Sequence, residues 1–414
     1  MSLKRISPQI IYVVFFIFQI IVISVYLFNK SNGKLNFNTY LQTVKFSTLF
    51  LLFISLIILI QKRVKIFKLS LLKLIFIFQI LTLYITMIIH TDIKAINSPT
   101  ILFMLTSFLI FSDFKSDLNF LNKIVIKLAI VNLIFVLLQI LNAIPVAQLN
   151  ERDSLGLMEN RATGILFNAF ALGYASAILF LICLYFFIVK QNIKLNILGL
   201  VSSFIAILFS ETRTPFFLIT FLGLLILFQN KTIIYKNWKI ISILSVILVI
   251  LTPIVSIFYG NYRNLESYST LNGRVFLWEC IINKRLEFFP FGVGVQAAFP
   301  KGFCSNNPWF ANLRHPENMF LLNFVESGLI GLIGIILLFL VTFWMSAKVL
   351  REKNALPLAI TVVYFMCSIF YVPLFHYLPF LENRPADRGI YNFFLFTLLW
   401  LIVLVSFKKD QKQS

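Results

Sequence analysis

Long apolar runs, each bounded by a few polar or basic residues, recur along most of this chain. An α-helix rises about 1.5 Å per residue, so roughly 20 apolar residues cross the hydrocarbon core of a bilayer. Runs of that kind place helices near residues 9–28, 45–60, 70–90, 99–112, 123–144, 164–189, 195–210, 214–229, 239–258, 318–347, 355–374 and 390–407. Backbone polar groups in lipid must be satisfied within the segment, which leaves the helix as the conformation for these runs. The pattern predicts an all-α fold, a polytopic membrane protein of about twelve transmembrane helices forming a single integral membrane domain over residues 1–414. Most connections are short. Residues 259–317 form the one large loop, and 145–163 and 375–389 are shorter, charge-rich connections on the same side.

Inside the large loop, Asn272 is a capping residue for a helix predicted through Phe289. Arg274, Trp278, Ile281 and Arg285 recur there at helical spacing, which suits an interfacial helix with its ring and aliphatic groups toward lipid. Pro290-Phe-Gly-Val-Gly294 ends it in a turn, and Phe288, Phe289 and Phe291 read as lining the approach of a lipid tail. Further on, Gly328, Gly331 and Gly334 read as a strip for close helix packing.

Composition agrees with this pattern and excludes a soluble globular protein: 59% of the 414 residues are hydrophobic and 13% are charged. The net charge of +20 would suggest a nucleic-acid partner on a soluble chain. Here it sorts by side. With twelve spans and a cytoplasmic N-terminus, 21 of the 36 basic residues and four of the 16 acidic ones fall on the inner side. That is the bias of cytoplasmic loops, and it places both termini in the cytoplasm and the large loop outside. Lys4 and Arg5 precede the first run without a small-residue cleavage site, so this run reads as a retained helix.

Residue type separates further. Only Arg5, Arg63 and Arg351 of the 12 arginines lie inside, whereas lysine dominates there. Orientation needs only charge; a planar, five-donor guanidinium is what a site uses to grip phosphate or carboxylate oxygens. The split predicts an outward-facing site for an anionic group. The alternative is that outer arginines pair with outer acids or lipid headgroups. No G-x-x-x-x-G-K-[ST] loop, D-x-D pair or C-x-x-C spacing occurs in the chain, so neither a nucleotide nor a metal or other cofactor is expected. Cys280 and Cys304 share the large loop, either bonded or free; Cys183 and Cys367 are isolated in membrane runs.

Four polar strings stand at the predicted outer helix ends: Arg161-Ala-Thr-Gly164, leading to Asn168 and Gly173; Ser210-Glu-Thr-Arg213-Thr; Asn272-Gly-Arg274 with Trp278; and Arg314-His315-Pro-Glu317-Asn318, followed by Glu326-Ser-Gly328 and Gly331. Their order and sidedness resemble the O-antigen polymerase and O-antigen ligase superfamily, which includes protein O-oligosaccharyltransferases. The resemblance covers about 161–334. It departs where Asn168-Ala169 replaces the family's Pro-Asn, and where Glu317 stands immediately before Asn318, with His315 two residues ahead of Glu317.

The resemblance implies a metal-independent, inverting transfer of a saccharide from an undecaprenyl-diphosphate carrier to a sugar hydroxyl, at the outer face of a bacterial cytoplasmic membrane. Diphosphate leaves without a general acid, so the protein must supply charge stabilisation and a base. Arg161, Arg213 and Arg274 are the implied diphosphate ligands. His315 is the base, with Glu317 as the alternative base or the group that orients it. Arg314, Asn318 and Glu326 are supporting candidates. Plainer roles stand beside these: Arg213 pairing with Glu211, Arg161 with Glu159 or Glu151, Arg314 as a rim charge, and Asn318 as a helix N-cap. Glu326 falls within a span, where a paired or functional role is favoured over lipid.

The leading function is a polymerase joining lipid-linked repeat units, which act as donor and acceptor, into O-antigen, capsular or other surface polysaccharide, with a chain-length regulator as a conceivable partner. A ligase or oligosaccharyltransferase of the same superfamily would use the same residues. A flippase or exporter of the lipid-linked saccharide is the rival from another class. Midspan polar residues are mostly amides (Gln19, Gln79, Asn132, Gln139), and the charges gather at helix ends, which favours surface chemistry over passage.

Overall fold

A computed structural model describes residues 53, 56, 57, 71–90, 118–143, 162–164, 169–210, 212–228, 278–294 and 318–370. Among the described residues all regular structure is helical and no strand occurs. In chain order the elements are α1 (Leu71–Ile89), α2 (Leu118–Ile140), α3 (Ala169–Ile188), α4 (Ile193–Ser210), α5 (Arg213–Leu227), a short 3-10 helix (Arg285–Phe288), α6 (Met319–Leu350) and α7 (Leu356–Phe370). By length and composition, α2, α3, α4 and α6 are each able to cross a membrane. The expected helices near 9–28, 99–112, 239–258 and 390–407 lie outside the described residues, as do 145–161 and 375–389 of the outer connections.

The helices form where the apolar pattern puts them. On α1, Leu74, Phe78, Leu81, Ile85 and Ile88 recur every three or four residues and are exposed, the outward stripe of a helix in lipid. The opposite face buries Thr82 and Thr86, whose hydroxyls donate back to the carbonyls of Phe78 and Thr82 at 2.9 and 2.8 Å. Those bonds spare each hydroxyl the cost of an unpaired group in an apolar interior. Helix α2 begins at Leu118, five residues ahead of its expected run, and carries exposed Lys123 and Lys127 one turn apart on one face.

At the centre stands α3, which packs against α2, α4, α5 and α7. Buried Gly173, Ala175, Ser176 and Ala177 allow its neighbours close approach. Gly199 of α4 is pressed on Cys183, whose sulfur would stand 2.6 Å from any Cβ placed there. Helix α6 packs on α1 and α7. Ser346 and Thr361 share a buried hydroxyl contact of 2.9 Å between α6 and α7.

The run 318–347, expected as one span, is two helices. Gly328 has φ 65° and ψ −155°, outside the helical region, and divides α6 into arms 319–327 and 329–350. The first arm doubles back along the second. The Phe320 ring lies 5.5 Å from Phe339, whereas their separation along an unbroken helix would be about 28 Å. A Cβ on Gly331 would likewise stand 2.8 Å from the Asn323 carbonyl oxygen. Phe320, Phe339 and Phe365 of α7 close an aromatic cluster at centroid distances of 5.2–5.6 Å. Phe339 and Phe365 each stand roughly 15 Å along their helices from the 351–355 connection. The start of the first arm is therefore level with the middle of α6 and α7. The arm 329–350 alone is about 33 Å long, enough to span.

Candidate functional site

Two of the four polar strings meet at one end of the bundle. Ala162 donates its N–H to the Phe209 carbonyl at 3.0 Å, tying the chain beside Arg161 to the end of α4. Gln139, in the last turn of α2, holds the next two residues from the other side: its Oε1 accepts from the N–H groups of Thr163 at 3.0 Å and Gly164 at 2.8 Å, and its Nε2 donates to the Thr163 hydroxyl and the Gly164 carbonyl at 3.0 and 3.3 Å. Gly164 takes a left-handed φ of 54°, and a side chain there would run into Asn132 and Leu172. Replacing Gln139 with leucine strands two buried N–H groups, each worth about 1–3 kcal/mol. We expect the variant to unfold several degrees below wild type when heated in detergent, read by intrinsic fluorescence.

The Ser210-Glu-Thr-Arg213 string lies against α3. The Ser210 and Thr212 hydroxyls hydrogen-bond to each other, Ser210 also donates to the Ile207 carbonyl at 2.7 Å, and the Thr212 N–H donates to the Ser210 Oγ at 3.3 Å. Only a glycine at 173 leaves room for this pair, since a Cβ there would collide with the Thr212 hydroxyl. Thr212 is the N-cap residue of α5 but makes no side-chain cap bond, because its hydroxyl is drawn to Ser210. Arg213 is the first residue of that 15-residue helix. Its backbone thus stands at a positive helix end, where anions are favoured. The opposite ends of α3 and α4 carry Lys190 and Lys194.

A second construction joins the middle of the large loop to the helix that follows it. The Pro290–Gly294 turn meets the break in α6 backbone to backbone: Val293 N–H donates to the Val325 carbonyl at 2.8 Å, Gly294 N–H to the Glu326 carbonyl at 3.1 Å, and Leu329 N–H to the Pro290 carbonyl at 3.0 Å. The groups freed where the helix breaks are thereby satisfied. Gly292 and Gly328 have φ of 73° and 65°, and a Cβ on either would strike the backbone of the other strand. Gly294 rests against the imidazole of His90, at the end of α1. Glu326 is buried at the break, 3% exposed.

Several expectations change here. Gly328 breaks a helix and does not serve helix packing. In the loop, α-helical structure gives way to the 3-10 helix Arg285–Phe288 short of Phe289. Trp278 and Ile281 are buried within the protein, 1% and 0% exposed, so this face is turned inward and not toward lipid. Phe288 is also buried, edge-on to Phe324 at 5.8 Å, whereas Phe289 and Phe291 are exposed. Cys280 is disulfide-bonded; Cys183 and Cys367 are free and buried. Cys304 lies outside the described residues. We expect Cys280 to react with a maleimide only after the protein is treated with a reductant, read by mass shift.

Of the candidate residues, Asn318 is described in full. Its Oδ1 accepts from the N–H groups of Phe320 and Leu321 at 2.9 and 3.0 Å, the N-cap geometry, and it is buried. It begins an arm whose Phe320 lies beside Phe339, level with the middle of the arm 329–350. Glu326 is placed at the break, and Arg213 by its backbone. Arg161, Arg274, Arg314, His315 and Glu317 lie outside the described residues. Sequence reasoning missed Gln139 as a structural support and the partnership of Gly292 with Gly328. A Gln near the predicted end of an apolar run, and two glycine-containing turns flanking one loop, were the available signals.

Among the described residues the structure is all-helical, and four helices long and apolar enough to cross a membrane point to a membrane protein. Residues 198–336 match a family described as O-antigen ligase, which supports membership of the chain in the O-antigen polymerase and ligase superfamily. The match runs from α4 to the second arm of α6, so it takes in every string except the one at Arg161. It also supports a role in surface-polysaccharide biosynthesis of the ligase and polymerase type, carried out on lipid-linked saccharides. No curated protein matches the chain.

Proposed function

We propose that this chain is a membrane glycosyltransferase that polymerises undecaprenyl-diphosphate-linked repeat units into O-antigen, capsular or other surface polysaccharide, at the outer face of a bacterial cytoplasmic membrane. The observation that carries the reading is the union of the Arg161 and Arg213 strings, through the Ala162–Phe209 bond and the seating of Thr212 on Gly173. These contacts bring Ala162, the neighbour of Arg161 in sequence, and the backbone of Arg213 to one end of the bundle, beside the N-terminus of α5. A diphosphate presents its charge to both arginines.

In this reading Arg161, Arg213 and Arg274 bind the carrier diphosphate and stabilise the charge that grows on it as the anomeric bond breaks. His315 or Glu317 removes the proton of the acceptor hydroxyl, and the new glycosidic bond forms on the opposite face with inversion. No metal or nucleotide is required. Arg314, Asn318 and Glu326 support this centre.

The break in α6, with a buried carboxylate beside it, is the observation that favours a lipid-linked-saccharide exporter, since transporters often bind cargo at discontinuous helices. Here the freed Val325 and Glu326 carbonyls are occupied by the Pro290–Gly294 turn, which weighs against their holding cargo. The test is to supply purified protein with a synthetic lipid-diphosphate oligosaccharide, without nucleotide or metal. Lengthening glycan with release of the polyprenyl diphosphate is the expected result. Transfer only to a lipid core or protein acceptor would make the chain a ligase, and translocation without transfer would make it an exporter.

A further inference from the structure

The large loop, 259–317, ends at Glu317, two residues past His315 and immediately before Asn318. The helix that follows it, the arm 319–327, is not held by the spanning arm alone. Two backbone hydrogen bonds from Val293 and Gly294 fix its far end, and a third from Leu329 ties the start of the spanning arm to the same turn; the Phe320–Phe339–Phe365 cluster fixes its near end, and Phe288 packs on Phe324 between them. Asn318 caps the helix at a buried position level with the middle of the arm 329–350.

We propose that Gly292 and Gly328 are positioning residues for the transfer step: by letting the Pro290–Gly294 turn clasp the break in α6, they fold the arm 319–327 back and fix the place of Asn318, one of the supports of the proposed centre. This deepens the proposed function and rests on it. The φ and ψ of Gly328 fall in a region essentially closed to other residues, and a Cβ would strike the Pro290 carbonyl. A clasp made of backbone, closed by two glycines, has no side chain that can be varied gradually. Loss of either glycine opens it.

The prediction separates positioning from stability. Gly328→Ala and Gly292→Ala are expected to lower kcat by about 10²-fold, the cost of misplacing a reacting group by about an ångström. KM for the lipid-linked donor should change less than about twofold, because the Arg161 and Arg213 strings stand on other elements. Gly223→Ala, whose Cβ would meet only Leu184 at 3.4 Å, should match wild type. Equal kcat in the three variants, or a fall confined to thermal stability, would overturn the proposal. A second measurement does not depend on the glycine variants folding. Phe320→Cys with Phe339→Cys should be joined by a short bifunctional thiol reagent, which cannot bridge the two positions of an unbroken helix, and the joined protein should keep its turnover. Failure to join, or joining that abolishes turnover, refutes the clasp's role. If wild-type protein gives no transfer at all while the cysteines still join, the proposed function fails and the positioning role falls with it, leaving the fold-back itself standing.

Discussion

Transfer by His315→Ala is expected to fall by a factor of about 10²–10⁴, the usual contribution of a positioned general base. The pH profile identifies which residue acts. An imidazole base works only when neutral and a carboxylate base only when ionised, and imidazoles in general take up their proton at higher pH than carboxylates, so the acid limb lies higher with His315 as base than with Glu317. With His315 as base, Glu317→Ala, which removes only an orienting group, costs about tenfold and leaves the acid limb in place. With Glu317 as base, the limb lies lower and Glu317→Ala carries the larger loss. Rates measured from pH 4 to 8 on wild type and both variants check this. Two variants with full activity and normal expression would remove both residues from the mechanism.

The second large effect is expected at Arg213. Arg213→Ala should lower turnover by about 10²–10³-fold, the range found when a preorganised charge stabiliser is removed. Arg213→Lys should recover little of it, because a lysine offers a single ammonium where the guanidinium offers a planar fork. Competition by inorganic diphosphate gives an independent reading: wild type should be inhibited, and both variants should require more diphosphate for the same effect. A pair with Glu211, the plainer role, predicts instead that Arg213→Ala lowers stability and leaves diphosphate inhibition unchanged.

The helices were legible because burial in lipid demands long apolar runs, and α1 to α5 and α7 follow theirs within a few residues. Helix α6 shows where that legibility stops. Asn323, Glu326 and Ser327 interrupt the run ahead of Gly328 without ending it: the arm 319–327 packs its apolar residues against protein, while the arm 329–350 presents Leu329, Ile333, Ile336 and Leu337 outward. A few polar residues within an apolar run fit one span as well as two arms. What distinguishes them is one glycine in a conformation other residues avoid, and the partner strand some 35 residues earlier that satisfies the broken ladder. The loop helix misled for a related reason: Trp278 and Ile281 have the amphipathic spacing of an interfacial helix, and the same spacing fits a face sealed into the protein.

At the candidate site, sequence could name residue types but not the supports beneath them. Arg213 was visible as an arginine beside a threonine pair; that Thr212 turns from capping α5 to bond Ser210 depends on the fit of Gly173, a residue 39 positions away. Gln139 read as a membrane amide, and it is the clamp that holds Thr163 and Gly164.

The reversal at Gly328 also bears on how the chain is made. To the machinery that inserts nascent helices, Met319–Leu350 presents one apolar stretch of 32 residues, longer than a bilayer requires. Synthesis delivers Pro290–Gly294 before any of it. The segment that satisfies the break is thus made before the residues it pairs with, and the pairing can close only once Leu329, the first residue of the second arm, has also been made.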